Sequence, residues 1–249
     1  MPTLVEIDRK LSRAMDRLSF APPVSHVYNP LAYAWEPHRR FLEAYGGPGK
    51  RMAFLGMNPG PWGMSQTGVP FGEVELVREW LKIEGEVGKP EREHPKRPIQ
   101  GFECPRSEVS GRRLWGFFRE RCGTPERFFE NCFVLNFCPL AFLEESGRNR
   151  TPDKLPAAER AAVEEACDLA LRDAVDALGC EWVIGVGKFA ETQANRALAG
   201  KNLRIGRVLH PSPASPAANR GWAEQAEREL EALGVLGWIG GPVGRSGGR

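Results

Sequence analysis

Three polar residues interrupt apolar runs at points where chemistry could be done: Asn58 in GMNPGP, Asn136 in VLNFCP and His210 in LHPSP. A side-chain amide carries an acceptor beside a donor, so it can pair with a ligand edge that offers the complement, or hold a water molecule. An imidazole can donate to an oxygen that gathers negative charge as a bond breaks. None of the three positions carries a carboxylate, serine or cysteine, which argues against acyl transfer and covalent catalysis. Ser212, two residues after His210, is of a type that caps a helix or contacts a phosphate. The loop after Asn58, PGPWGMSQTGVPFGE, has Gly60, Gly63, Gly68 and Gly72, which permit close approach of backbone to a ligand. Phe71, between Pro70 and Gly72, is suited to stacking on a planar base, with a place in the core under the loop as the alternative.

These residues need strands to hold them. Apolar runs of strand length occur at 52–57, 132–135, 182–186 and 203–209, each followed by glycine or proline punctuation. Helix-like sequence follows at 156–178, 188–198 and 216–233. Strand alternating with helix predicts an α/β fold, a three-layer α/β/α sandwich around a central four-stranded parallel sheet. Asn58, Asn136, Gly187 and His210 then share the rim at the carboxyl ends of the strands, where open parallel sheets bind ligands. Leu4, Ile7, Leu11, Met15 and Leu18 recur at helical spacing, so an amphipathic helix is expected over 3–18. A proline-broken aromatic segment from Pro22 to Pro37 and a short helix over 41–45 come next. One domain over 1–239 is expected, with a disordered glycine-rich tail over 240–249.

The 34 basic residues barely exceed the 32 acidic ones, for a net charge of +2, so any nucleic-acid surface should be a narrow basic track. SGRNRTPDKLP supplies Gly147, Arg148, Asn149, Arg150, Thr151 and Lys154 just after the Asn136 strand. HPSPASPAANRGW supplies Ser212, Pro213, Ala214, Ser215, Ala218, Asn219, Arg220 and Gly221 after His210. Small polar groups, helix starts and a few arginines are the usual phosphate contacts. The mixed charges of 84–97 read as a solvated loop. The six cysteines form no C-x-x-C pair and are expected to be free thiols in a reducing compartment. The longest uncharged apolar stretch, 131–143, is too short to span a bilayer. The N-terminus has charges where a secretion signal needs apolar residues, so an intracellular protein is expected, cytoplasmic or nucleoid in a prokaryote. G-V-G-K-F-A from Gly185 matches a dinucleotide fingerprint, but no acidic residue ends the following strand to hold a ribose, so an oxidoreductase is the weaker alternative.

Three blocks together, GMNPGPWGMSQTGVPFGEV, NFCPL with GRNRTPDKLP, and HPSPASPAANRGW, resemble the single-strand-selective monofunctional uracil-DNA glycosylases, a branch of the uracil-DNA glycosylase superfamily. The resemblance implies hydrolysis of the N-glycosidic bond of uracil and 5-modified uracils such as 5-hydroxymethyluracil, in single- and double-stranded DNA. An abasic site is left in an uncut strand, and neither metal nor cofactor is needed. By the same resemblance Asn58 positions the water, His210 stabilises charge on the uracil O2, Asn136 reads the base edge and Phe71 stacks on it. Met57, Gly60 and Met64 line the pocket, with Gly60 leaving room beside C5, and 211–220 is a wedge that fills the vacated stack. The expected protein is a monomer with DNA as its partner, and a DNA-binding relative without catalysis is the other alternative. Phe137 and Ala214 depart from the histidine and arginine of many relatives.

Overall fold

The computed structural model describes residues 1–240, so the expected tail lies, apart from Gly240, outside the described residues. Seven strands occur in it: β1 (Val24–Tyr28), β2 (Met52–Gly56), β3 (Cys132–Asn136), β4 (Ala141–Glu144), β5 (Asn149–Arg150), β6 (Trp182–Val186) and β7 (Arg204–Val208). Four of them form a sheet in the order β3-β2-β6-β7, with all pairs parallel. Every residue of β2 and β6 is buried, as expected of continuous apolar runs covered on both faces. The edge strand β7 is less covered, with Arg204 and Arg207 exposed.

The chain runs from β2 outward to β3, returns to β6 on the other side of β2, then continues to β7. Connections leaving β2 and β6 thus diverge, and a crevice opens between their carboxyl ends. One helical layer holds Leu4–Met15, Ala157–Leu178 and Lys188–Ala197, the last packed on β2, β6 and β7. The other holds Val109–Cys122, Pro125–Phe129 and Trp222–Ala232, which fits the expected three layers. Its core is aromatic: Phe54 of β2 packs against Phe118 and Phe128, with centroids 4.9 and 6.3 Å away. Such pairs contribute about 0.5–1.5 kcal/mol each beyond area burial.

The helix Leu4–Met15 starts where expected because Thr3 and Glu6 form a reciprocal capping box. The helix expected over 216–233 is instead two, Pro216–Asn219 and Trp222–Ala232, broken at Gly221 with φ +137°. Periodicity assigns no element to Val109–Cys122, which is nevertheless a 14-residue helix. A second sheet, β1-β4-β5, is antiparallel and was absent from the expectation. It places the 145–151 segment beside the rim. The 84–97 loop is only partly solvated: His94 is buried, its backbone N–H donating to Tyr28 Oη at 2.7 Å. No helix among the described residues is long and apolar enough to cross a membrane.

Candidate active site

The carboxyl ends of the four parallel strands surround a pocket of about 400 Å³ lined by Asn58, Phe71, Asn136 and His210, with Met57, Gly60, Asn149, Thr151 and Ser212 among the other walls. The structure therefore brings together residues 152 positions apart in the chain, Asn58 and His210 (210 − 58).

Asn58 follows β2 by two residues. Its Nδ2 donates to the Leu140 carbonyl at 3.0 Å, a group presented between β3 and β4. The donor half of the amide is thereby engaged, leaving Oδ1 as an acceptor for a water proton. Asn136, the last residue of β3, lies opposite Gly56 in the parallel ladder. Its Nδ2 contacts Met64 Sδ at 3.2 Å. A thioether is a weak acceptor, so the amide can exchange that contact for a ligand carbonyl. Phe137 and Cys138 donate backbone N–H bonds to the carbonyls of Gly56 and Met57, which zips the two strand-end loops together.

Phe71 adopts φ +54°, a left-handed conformation that costs a non-glycine residue about 1–2 kcal/mol. Its surroundings impose it. Trp115 Nε1 donates to the Pro70 carbonyl at 3.1 Å, and Thr67 Oγ1 donates to that of Gly72 at 3.0 Å. The ring lies beside Gly56, where a Cβ would collide both with it and with Asn136 Oδ1. Gly56 therefore keeps a flat slot open between an aromatic face and a hydrogen-bonding amide. The Phe71 ring also faces His210, with centroids 6.2 Å apart.

His210 follows β7. Burial pushes its imidazole down to about 4, and no charged or hydrogen-bonding neighbour offsets this. At neutral pH the ring is uncharged, with its N–H available to a ligand. A Cβ on Gly187 would lie 2.9 Å from His210 Cβ, and Gly187 has φ +94°, so the second glycine of G-V-G-K-F-A gives the histidine its place. The first, Gly185, lets the helix Lys188–Ala197 close on β6, since a Cβ there would lie 2.7 Å from Glu191 Cα. Both glycines of the dinucleotide-like motif are thus occupied by packing.

Other expected site residues are distributed less simply. Met64 lies behind Asn136, buried, and is not in the pocket wall. Arg148 is exposed, whereas Arg150 pairs with Glu144 at 3.0 Å and is half-buried in doing so. Asn149 lines the pocket, and its Oδ1 is buried without a hydrogen-bond partner. Gly147, at φ +81°, turns the chain between β4 and β5 and is buried. Ser215 Oγ caps the Pro216–Asn219 helix by accepting from the N–H of Ala218, a residue whose side chain is buried. Ser212 Oγ accepts from Ala214 N–H at 3.1 Å. Pro213, Ala214 and Arg220 remain exposed at the loop tip.

Two residues were not anticipated. Arg113 donates to the carbonyls of Pro211 and Ser212 at 3.0 and 3.3 Å and to Asn219 Oδ1 at 2.8 Å, fastening the 211–219 loop to the helix Val109–Cys122. Glu108, just before that helix, lines the pocket. A Cβ on Gly60 would collide with Glu108 Oε1, and one on Gly63 with Oε2. The room expected beside Gly60 is therefore occupied by a carboxyl group, which the absence of a Cβ at Gly60 and Gly63 admits. Burial, helped by the neighbouring Glu73 carboxylate, pushes that carboxyl up to about 7.

One crevice at the end of the parallel sheet thus gathers an uncharged imidazole, two amides, an aromatic ring and a carboxyl group. The model of the uracil DNA glycosylase superfamily matches residues 43–232, and the chain belongs to that superfamily. Among its relatives, the single-strand selective monofunctional uracil-DNA glycosylase of Rattus norvegicus is 53% identical over 234 residues, covering 93% of this chain and 84% of that protein. The enzyme of the same name from Bos taurus is 53% identical over 229 residues, covering 91% and 84%. The crystal structure of wild-type Pedobacter heparinus SMUG2 shares the fold, with a TM-score of 0.65 at 19% identity over 92% of this chain and 97% of that one.

Proposed function

We propose that this protein is a monofunctional DNA glycosylase of base excision repair. It takes uracil and 5-modified uracils out of single- and double-stranded DNA and hydrolyses the N-glycosidic bond, leaving an abasic site. The observation that carries the reading is the fixed amide of Asn58: with Nδ2 held by Leu140, Oδ1 is left to orient a water in the same pocket as an uncharged His210.

An amide cannot take a proton at neutral pH, so Asn58 orients water and hardly activates it. The barrier must fall through departure of the base as an anion, with positive charge building on the sugar. His210 then donates to the uracil O2 as charge gathers there. One such pre-aimed donor is worth about 2.7–4 kcal/mol, or roughly 10²–10³ in rate. Asn136 pairs with the N3–H and O4 edge, and Phe71 covers the ring face. Stacking on an aromatic side chain contributes about 1–3 kcal/mol. That offsets part of the few kcal/mol needed to take the base from a duplex. The exposed tip at Pro213 and Ala214 enters the vacated stack, and Arg148 and Arg220 meet phosphates. We place the protein inside the cell, working on DNA as a monomer.

The test is single-turnover excision from a uracil oligonucleotide by Asn58→Ala and His210→Ala, beside a binding measurement. Each variant should lose about 10²-fold or more in rate while binding DNA within a few-fold of wild type. Full rates in both would remove the assigned roles.

A further inference from the structure

The Pro61 wall of the pocket continues outward as a cationic surface. Trp62, half-buried, follows Pro61 directly, and two guanidinium groups lie over its ring, Arg106 at 4.5 Å and Arg97 at 5.2 Å from the centroid. A buried amide builds this corner. Gln66 Nε2 donates to the carbonyls of Pro61 and Pro98 at 2.9 and 3.0 Å, while its Oε1 accepts from the N–H groups of Gln100 and Gly101. The Arg97 carbonyl in turn accepts from Tyr28 Oη at 2.8 Å, so the backbone under Trp62 and Arg97 is fixed. Next along the surface is the exposed Lys96, whose Nζ donates to the Ser146 carbonyl at 3.4 Å, and beyond Gly147 comes the exposed Arg148. Among the described residues Lys96, Arg97, Arg106 and Arg148 form no ion pair, whereas Arg78, Lys89 and Arg150 do. Two guanidinium groups gathered on one ring repel each other, and at an exposed site the aromatic face offsets that only in part.

We propose that Lys96, Arg97 and Arg106, ordered on Trp62 and continuous with Arg148, form a track for the phosphates of the strand that carries the flipped nucleotide. The assignment rests on the glycosylase reading above, which makes the polyanion DNA. The track meets the pocket wall twice, at Pro61 beside Trp62 and at Asn149 beside Arg148, so its phosphates are those flanking the nucleotide in the pocket. Contacts of this kind position a backbone without reading its bases. Arginine supplies forked donors that match phosphate oxygens, and packing on Trp62 leaves fewer rotamers to be ordered on binding. The 211–219 loop acts where a duplex has a stack to fill, whereas the track needs one strand only. It therefore accounts for the grip on a single strand, in which that loop has no stack to enter.

The experiment measures affinity for a short labelled thymine-only single strand by fluorescence anisotropy across a salt series. Lys96→Gln/Arg97→Gln/Arg106→Gln is compared with wild type and with Arg51→Gln/Lys201→Gln/Arg204→Gln. The second variant removes equal charge around the amino ends of β2 and β7, the pole opposite the pocket. Each phosphate contact on a single strand contributes about 0.7 to the slope of log K against log salt. The first variant should therefore lose about 2 from that slope and about tenfold or more in affinity near about 0.1 M salt. The control should stay within about threefold of wild type with its slope changed by less than about 0.7. Arg106→Gln alone, at an exposed position, repeats the test with an expected slope loss of about 0.7 should the triple variant fail to fold. Equal losses in the two triple variants, or an unchanged slope in the first, overturn the assignment. Uracil excision by wild type is read in parallel. If it is absent while the slope still depends on the three cations, the glycosylase reading falls and the track stands as a nucleic-acid surface. If excision is present and the slope does not depend on them, only the track falls.

Discussion

His210 offers a pH signature that separates an uncharged hydrogen-bond donor from an acid. Burial holds its folded value at about 4 against an ordinary 6.5. That gap corresponds to about 3 kcal/mol disfavouring the imidazolium in the pocket. At pH 5.5 a group titrating at about 4 is only about 3% charged, whereas one at 6.5 would be about 90% charged. If excision needs the uncharged ring, the rate should change less than about 1.5-fold between pH 7.5 and 5.5, where an ordinary histidine would lose about tenfold. The assay is single-turnover cleavage of a single-stranded uracil substrate, run in Glu108→Gln so that the carboxyl titrating near about 7 is removed. A rate that climbs or falls about tenfold through pH 6.5, and does so only while His210 is present, would refute the uncharged-donor argument. The linkage has a matching sign. Between 6.5 and about 4 the unfolded chain binds the proton that the folded His210 refuses, so stability should decline as pH falls through that window.

Other perturbations follow from the same contacts. Gly187→Ala places a methyl carbon 2.9 Å from His210 Cβ at a backbone φ of +94°. It should slow single-turnover excision about tenfold while DNA affinity, by fluorescence anisotropy, moves less than about threefold. Arg113→Ala unfastens the 211–219 loop from three hydrogen bonds. Excision from a duplex should fall about three- to tenfold more than from a single strand, because only the duplex needs its stack filled. Thr3→Ala removes the capping box far from the pocket. It should cost about 1 kcal/mol in chemical denaturation and leave excision rates alone.

The central sheet was legible because β2, β3 and β6 are apolar runs that stop at glycine or at a polar residue, and β7, though it carries Arg204 and Arg207, is bounded by Leu203 and Leu209 and closed by His210 and Pro211. Asn58, Asn136 and His210 stand at or just beyond those stops, and the rule that parallel sheets bind at their carboxyl ends gathers them. The helix Val109–Cys122 was hidden by its own glycines. Gly111 lowers helix propensity, yet a Cβ there would collide with the Phe71 carbonyl, so the residue that obscures the helix also makes room for the strained loop. Glu108 was illegible for a related reason. It lies in SEVSG, outside any periodic pattern and 50 residues from Asn58 (108 − 58), and only the fold brings it to the Gly60 turn. Met64 was misplaced by one layer because a buried methionine next to a pocket and one in its wall have the same local sequence. The break at Gly221 carries a glycine signal, but one glycine inside a helical pattern is often tolerated.

The most direct measurement uses two labelled oligonucleotides, each with one uracil, one single-stranded and the other paired as U·G. They are incubated with the protein in EDTA and then treated with hot alkali. The account predicts cleavage at the uracil position only after alkali, from a rate-limiting loss of the base, and slower on the duplex where Ala214 offers a small plug. Cleavage without alkali would contradict a monofunctional hydrolysis, and intact strands in both lanes would contradict glycosylase action at the Asn58–His210 pocket.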